Sequence, residues 1–470
     1  MTQVQTTNEH VKRRKKGSDQ QFKCQFINPI NHRKCGLQVR KGMKYCFAHL
    51  NKVEHDKNAE TKVFRINKKG EKIGRVRCPL DPSHTVWADR LKNHLGKCNA
   101  VRAKREEKER QKTCAWFDLN CNVKGEICGD MKLGDESVDK QEFKLFIDKT
   151  LRKYDDFFGD KPELMLDQVR YQEGLEERSE EITNKKHFIQ QSSLIGQLVK
   201  HKLFDKSNLY VEFGCGRAEF SRYLNLALYK SASDQGVQNN VGTKFLMIDR
   251  DRPRMKMDKK IIEDIREIDN KNLPVVHRLK VDIKDLQLAK AIDLCGSADV
   301  EKNESKTNYV GISKHLCGVA TDLTLRCLIN SMEQEKKAEH PEYQFKGFLV
   351  AMCCRHCCYY PWLLRESKDF LKDNFDIDST NFKYIRKMCP WATSGTYHKG
   401  NDDGSEHFSG LTLVEREKVG LKMRRIIDAS RCFAMKAYGF NVQLIKYVPR
   451  DVTFENNCMV ITSKTNSEHE

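Results

Sequence analysis

No apolar run in this 470-residue chain approaches the roughly 20 residues needed to span a bilayer, and its polar first twenty residues hold no signal-peptide core. A membrane-spanning or secreted protein is therefore not expected, and the chain reads as soluble and intracellular. Without a secretory route, its 19 cysteines point to zinc ligands and buried thiols and not to a disulfide framework. Acidic residues are also in deficit: 66 Asp and Glu stand against 85 Lys and Arg, a formal charge of +19. That excess favours a polyanionic partner, with nucleic acid ahead of an acidic membrane surface. The run Lys12-Arg13-Arg14-Lys15-Lys16 reads as a nuclear address, a phosphate-binding arm or a solvated tail, so nucleus and cytoplasm both stay open. No pattern speaks to oligomeric state.

The length suits one large domain with smaller modules, because single cores rarely grow beyond roughly 250 to 300 residues. The large domain is anchored by Tyr210-Val-Glu-Phe-Gly-Cys-Gly-Arg-Ala-Glu-Phe-Ser221, which reads as strand, glycine turn and helix. Gly214 and Gly216 relieve the steric limits of the turn and let backbone approach a ligand, with Cys215 and Ala218 beside them. The third glycine of the dinucleotide fingerprint is missing, replaced by Glu219. Glu212 at the strand end would repel a pyrophosphate but suits the methionine amino group of S-adenosylmethionine. Further on, Phe245 to Asp249 reads as a buried strand ending in an acid, placed to take the ribose hydroxyls of the same cofactor. The strand ending at Asp282 puts a second acid beside the adenine, or makes it a helix N-cap. Strands alternating with helices, closing with an antiparallel pair at 440–447 and 458–462, give an α/β, doubly wound sheet of the class I Rossmann-like type.

Two metal modules precede it. Cys24, Cys35, Cys46 and His49 follow C-x10-C-x10-C-x2-H in a segment (20–52) too polar and short to fold on apolar burial. Cys78, His84, His94 and Cys98 (segment 74–102) follow C-x5-H-x9-H-x3-C, with a short helix over Asp89 to Lys97 placing His94 and Cys98 on one face. Both sets are closed and structural, two zinc ions in all. Residues 103–180 read as an exposed charged helix and then a helical segment, Phe143 to Tyr171, that packs on the large domain or meets RNA.

Within the large domain (181–470), Lys185 begins a helix running to about Lys202, and Ser313-Lys314-His315-Leu-Cys317-Gly318 follows a strand where open parallel sheets bind ligands. Lys314, His315 and Lys186 are the candidates for activating a hydroxyl: a desolvated lysine near other cations loses its proton readily, while a charged one holds phosphate. Cys317, Cys354 and Cys389 are rival nucleophiles toward a pyrimidine ring. Cys353-Cys354-Arg355-His356-Cys357-Cys358 invites a third metal, but adjacent cysteines in a strand point to opposite sides, which argues for buried thiols instead. Trp391 is either a base-stacking platform or a core side chain.

The two cysteine/histidine segments, the Ser313 to Asp322 block, the Cys-Cys-x-His-Cys run, Met388-Cys-Pro-Trp391 and the basic helix Gly420 to Arg431 resemble the tRNA 2′-O-methyltransferase family acting on nucleotide 4 of the acceptor stem. The resemblance covers most of the chain and implies S-adenosylmethionine as methyl donor and tRNA as partner. One departure stands out: many ribose methyltransferases carry a Lys-Asp-Lys-Glu set, and here the fourth strand ends in Lys314-His315. A non-catalytic zinc-finger RNA-binding adaptor on a decayed methyltransferase fold is the alternative, and the intact Glu212, Gly214, Gly216 and Asp249 set speaks against it.

Overall fold

The computed structural model describes residues 23–27, 34–35, 39, 44–45, 64–66, 69–126, 139–159, 161, 164–234, 242–251, 253, 256–296, 306–337, 343–394 and 407–464. The chain divides into two compact units, residues 1–112 and 113–470. Among the described residues no helix is long and apolar enough to cross a membrane.

In the first unit, β1 (Phe64–Ile66), β2 (Lys72–Cys78) and β3 (Asp81–Trp87) form an antiparallel sheet. The expected helix after β3 is a 3-10 turn, Ala88–Arg90, followed by a short α-helix, Leu91–Leu95. The charged helix Asn99–Thr113 buries none of its described side chains, as its lack of an apolar stripe requires.

The second unit is an α/β layer around seven strands: β4 (Leu209–Phe213), β5 (Lys244–Asp249), β6 (Val275–Lys280), β7 (Thr307–Cys317), β8 (Tyr343–Cys353), β9 (Asn441–Lys446) and β10 (Asn457–Thr462). Their order is β6-β5-β4-β7-β8-β10-β9. The first five are parallel, and β10 runs antiparallel between β8 and β9. Strand side chains alternate, so each strand feeds two cores. Leu209, Val211, Phe213, Leu246 and Ile248 enter one apolar cluster, while Tyr210, Phe245 and Met247 enter the other. A third cluster joins the helix Lys140–Phe158 to the helices Arg365–Phe375, Phe382–Met388 and Leu413–Ala437. Phe143 is wholly buried there, with ring centroids 5.5 Å from Tyr384 and 6.0 Å from Trp391. Trp391 is thus a core side chain, 8% exposed, and not a base-stacking platform. The chain leaves β4 toward β5 and β6, then crosses to β7, so the order reverses between β4 and β7, the point at whose carboxyl ends open α/β sheets bind ligands.

Candidate functional site

At the end of β4 the backbone turns through two glycines with positive φ, +62° at Gly214 and +47° at Gly216, followed by Ala218 at +62°. A Cβ on Gly214 would stand 2.9 Å from Leu316, whereas one on Gly216 would meet nothing within 4 Å. Gly216 therefore faces open space, the room that a closely approaching ligand needs. The turn is held from its neighbours: Cys215 donates its N–H to Ile248 O at 3.0 Å, and Gly216 donates to Asp249 Oδ2 at 2.8 Å. The other Asp249 oxygen accepts from Asp251 N at 2.8 Å. Asp249 thus stands beside the glycine turn with both oxygens on backbone donors, and each oxygen keeps a further lone pair for a hydroxyl. Asp282 caps the 3-10 turn Ile283–Asp285 by accepting from Lys284 N at 3.1 Å, and burial raises its pKa. Its neighbour Val281 donates to Asp249 O at 3.0 Å, so the two acids end adjacent strand paths.

Arg278, on β6, is a brace that sequence reasoning missed. It forms a two-point pair with Asp258 at 2.8 and 2.7 Å and donates to Gly216 O at 2.9 Å. An arginine in a strand of mixed polarity gives no sign of this, because its partners lie 20 and 62 residues away.

Glu212 is 3% exposed and accepts from Ser221 through both its N–H, at 3.3 Å, and its hydroxyl. Burial pushes its carboxyl up to about 7 against the opposing pull of Ser221, Arg278 and Lys314. Lys314 lies where its charge acts on Glu212, on the same end of the sheet. Burial brings its ammonium down to about 8, although Glu219 and Glu212 both act to raise it. His315 interrupts the β7–β8 register with φ +62° and sets its Nε2 3.3 Å from Gln190 Oε1. Burial, then the Lys314 charge, lower it to about 4. Lys186 goes elsewhere: it is exposed and donates to the Asp451 carbonyl. On that turn it is His187 whose pKa is lowered, by burial and then by Lys314.

Three sulfurs, Cys317 at the end of β7 and Cys353 and Cys354 at the end of β8, lie within 4.8 Å of one another. The strand argument against shared geometry fails here because β8 ends at Cys353, and Cys354 takes left-handed backbone angles, φ 48° and ψ 45°. Cys389 is 2% exposed and burial pushes its thiol up to about 12, so it has no nucleophile's setting. Behind this end lies a second feature absent from the sequence reading. Arg355 pairs with Asp428 at 3.1 and 2.7 Å, Arg431 with Asp322 at 2.7 and 2.8 Å, and Arg431 with Asp428 at 3.4 Å. All four are buried, so the expected basic helix Gly420 to Arg431 turns part of its charge inward.

In the first unit, the ligand atoms of Cys78, His84, His94 and Cys98 lie within 4.8 Å of one another. Cys78 Sγ is 3.8 Å from Cys98 Sγ and 3.3 Å from His94 Nε2, and His84 Nε2 is 3.0 Å from His94 Nε2 and 3.8 Å from Cys98 Sγ. A tetrahedron with zinc bonds of about 2.0–2.3 Å has edges of about 3.3–3.8 Å; three of these separations match, and only the two histidine nitrogens at 3.0 Å are closer, so the donor set fits. Asp81 Oδ2 sits 3.1 Å from His84 Nδ1 and turns Nε2 toward the centre. Of the other expected set, Cys24 is buried and Cys35 half-buried, while Cys46 and His49 lie outside the described residues.

A family model described as Methyltransferase TRM13 matches residues 189–462. A U11-48K-like CHHC zinc finger model matches residues 75–99. The chain is 38% identical over 441 residues to the tRNA:m(4)X modification enzyme TRM13 of Scheffersomyces stipitis, covering 92% of this chain and 98% of that protein. It is 36% identical over 461 residues to the enzyme of the same name from Debaryomyces hansenii, at 95% and 92% coverage. Against that of Saccharomyces cerevisiae it is 33% identical over 501 residues, at 98% and 100%. Among solved structures, the plantazolicin methyltransferase BpumL in complex with SAH matches 69% of this chain and 99% of its own at 10% identity, with a TM-score of 0.20, which is too low to carry an argument.

Proposed function

Because this chain belongs to the TRM13 methyltransferase family, we propose that it transfers a methyl group from S-adenosylmethionine to the ribose 2′-hydroxyl of nucleotide 4 in the acceptor stem of tRNA. The observation that carries this reading is the convergence, at one end of the sheet, of the open glycine turn, the buried Glu212 carboxylate and Lys314, whose ammonium burial brings down to about 8. The strand order β6-β5-β4-β7-β8 corresponds to 3-2-1-4-5 of a doubly wound nucleotide-binding sheet, in keeping with a class I Rossmann-like domain. When bound, the cofactor supplies a methyl group on a sulfonium. Glu212 holds its amino group, the Gly214–Cys215–Gly216–Ala218 turn receives its body, and Asp249 takes the ribose hydroxyls, with Asp282 beside the adenine. Lys314 Nζ accepts the proton that leaves the tRNA hydroxyl as that oxygen bonds to the methyl carbon and the carbon–sulfur bond breaks, its electron pair staying on sulfur as the thioether S-adenosylhomocysteine departs. Neutral His315, held by Gln190, orients the attacking group. Purified protein, unmodified tRNA and labelled cofactor test the reaction: a label on the ribose of nucleotide 4 supports it, and a label on a base overturns it.

Gly216→Asp is expected to abolish methylation and cofactor binding in equilibrium dialysis while tRNA binding persists. Aspartate tolerates the left-handed backbone at this position, so the added carboxylate acts by filling the open space. Normal activity in this variant would remove the cofactor assignment.

The zinc units supply grip, since the Cys78–His84–His94–Cys98 set leaves no ligand position for catalytic water. Binding of tRNA should fall linearly on a log–log salt plot, with a slope of about −0.7 to −0.9 per phosphate neutralised. Deleting residues 1–100 should weaken binding and flatten that slope. Unchanged affinity and slope would reduce the fingers to a stabilising role.

A further inference from the structure

Beyond the methyl-transfer site, we propose that Cys317, Cys353 and Cys354 form a further metal site in the second unit, taking a soft cation of the zinc class through three thiolates at the ends of β7 and β8. Among the described residues only two groups of three or more cysteine, histidine or acidic side chains bring their ligand atoms within 4.8 Å of one another. One is the Cys78–His84–His94–Cys98 set; this is the other. The Cys317 and Cys353 sulfurs are 3.3 Å apart, about half an ångström short of the sulfur–sulfur edge around tetrahedral zinc. The finger shows a similar compression, with its two histidine nitrogens at 3.0 Å.

Three further observations separate this cluster from ordinary core thiols. First, Cys317 is exposed and Cys354 half-buried, with Cys353 alone of the three sequestered, whereas Cys327, Cys358, Cys389 and Cys458 are all buried, as apolar cysteines should be. Second, Cys354 occupies left-handed backbone, with φ 48°, a conformation unfavourable for a residue with a Cβ. In an extended chain its sulfur would point away from that of Cys353; the left-handed turn is what gathers the two. Third, the cluster reaches the surface at Cys317, and His356, in the turn that follows Cys354, is exposed as well. Bound there, the cation ties the strand that carries Lys314 and His315 to its neighbour, three residues beyond the lysine.

The test uses the full-length protein, purified with zinc, and counts metal per chain by mass spectrometry. Cys317→Ser and Cys353→Ser should each lose one metal equivalent relative to the unaltered protein, while Cys432→Ser, on the helix Leu413–Ala437, should lose none. Cys317 is the safer position because its exposed side chain is not needed for packing, and a native circular dichroism spectrum confirms folding. Cobalt in place of zinc provides a second readout: the thiolate-to-metal charge-transfer band of the unaltered protein should drop in both cluster variants. An unchanged metal count in a folded Cys317→Ser variant would overturn the site. So would a Cys317–Cys353 disulfide, found as the loss of two hydrogens, in the protein purified under reducing conditions.

Discussion

Replacing Lys314 with Met is expected to lower the rate of methyl transfer by about 10²–10⁴, the usual contribution of a positioned general base. Tight cofactor binding should persist, because Glu212 and the glycine turn remain. Only the neutral amine accepts a proton, so the pH profile identifies the role. With its ammonium brought by burial from 10.5 to about 8, Lys314 is neutral in about one molecule in ten at pH 7, against fewer than about one in a thousand for an ordinary lysine. Activity of the unaltered protein should therefore climb as pH rises toward 8 and then level off. Lys314→Arg separates base from phosphate contact. Arginine keeps the charge but does not deprotonate, so it should be nearly as inactive as methionine. If Lys314→Arg retained most of the activity with the same pH profile, the lysine would be a phosphate contact and the base would lie elsewhere.

The parts of this site that were legible in the sequence are those whose chemistry is local. A glycine turn between an apolar strand and an amphipathic helix needs residues only a few positions apart, so Gly214, Gly216 and the helix Glu219–Asp234 could be read directly. The cysteine and histidine spacing of residues 78–98 worked for the same reason, since the end of β2, β3, one short helix and the residue shortly after it carry every ligand. What could not be read depends on the sheet bringing distant segments together. Arg278 reaches Gly216 across 62 residues, Arg355 reaches Asp428 across 73, and Arg431 reaches Asp322 across 109. Each looks like surface charge in a chain with 85 basic residues. The Cys353–Cys354 pair was misjudged because the period-two rule holds only inside a strand, and here the strand stops between them. Trp391 was ambiguous because a tryptophan beside turn residues looks alike whether its partners are bases or, as found, Phe143 and His407.

The largest loss of stability is expected from Asp428→Ala. Asp428 is fully buried, lies between two buried arginines and also accepts from Asn457 at 3.2 Å. Removing it strips Arg355 of its two-point partner and leaves it only Met352 O and Glu455, while Arg431 falls back on Asp322. Breaking one partner from a buried pair typically costs about 3–5 kcal/mol, because a charge stays behind without compensation. A shift in Tm of about 4–7 °C follows for a unit of this size. The loss should also reach the chemistry, since Arg431 donates to Gly318 O at 3.3 Å and Arg355 opens the segment after β8; both hold chain next to Lys314 and the cysteine cluster. Acid gives an independent readout. Burial by itself raises the Asp428 carboxyl, but Arg355 and Arg431 outweigh it and hold the group below the ordinary carboxylate range. Its stabilising contribution is therefore complete above about pH 4, the unfolded value, and is lost as pH falls through the lower folded value. Asp428→Asn, which keeps the shape and loses the charge, should be destabilised at pH 7 and show a flatter loss of stability below pH 4. If Asp428→Ala melted within about 2 °C of the unaltered protein, Arg355 and Arg431 would have to be reached by water, and the buried network would no longer explain how the ends of β7 and β8 are held.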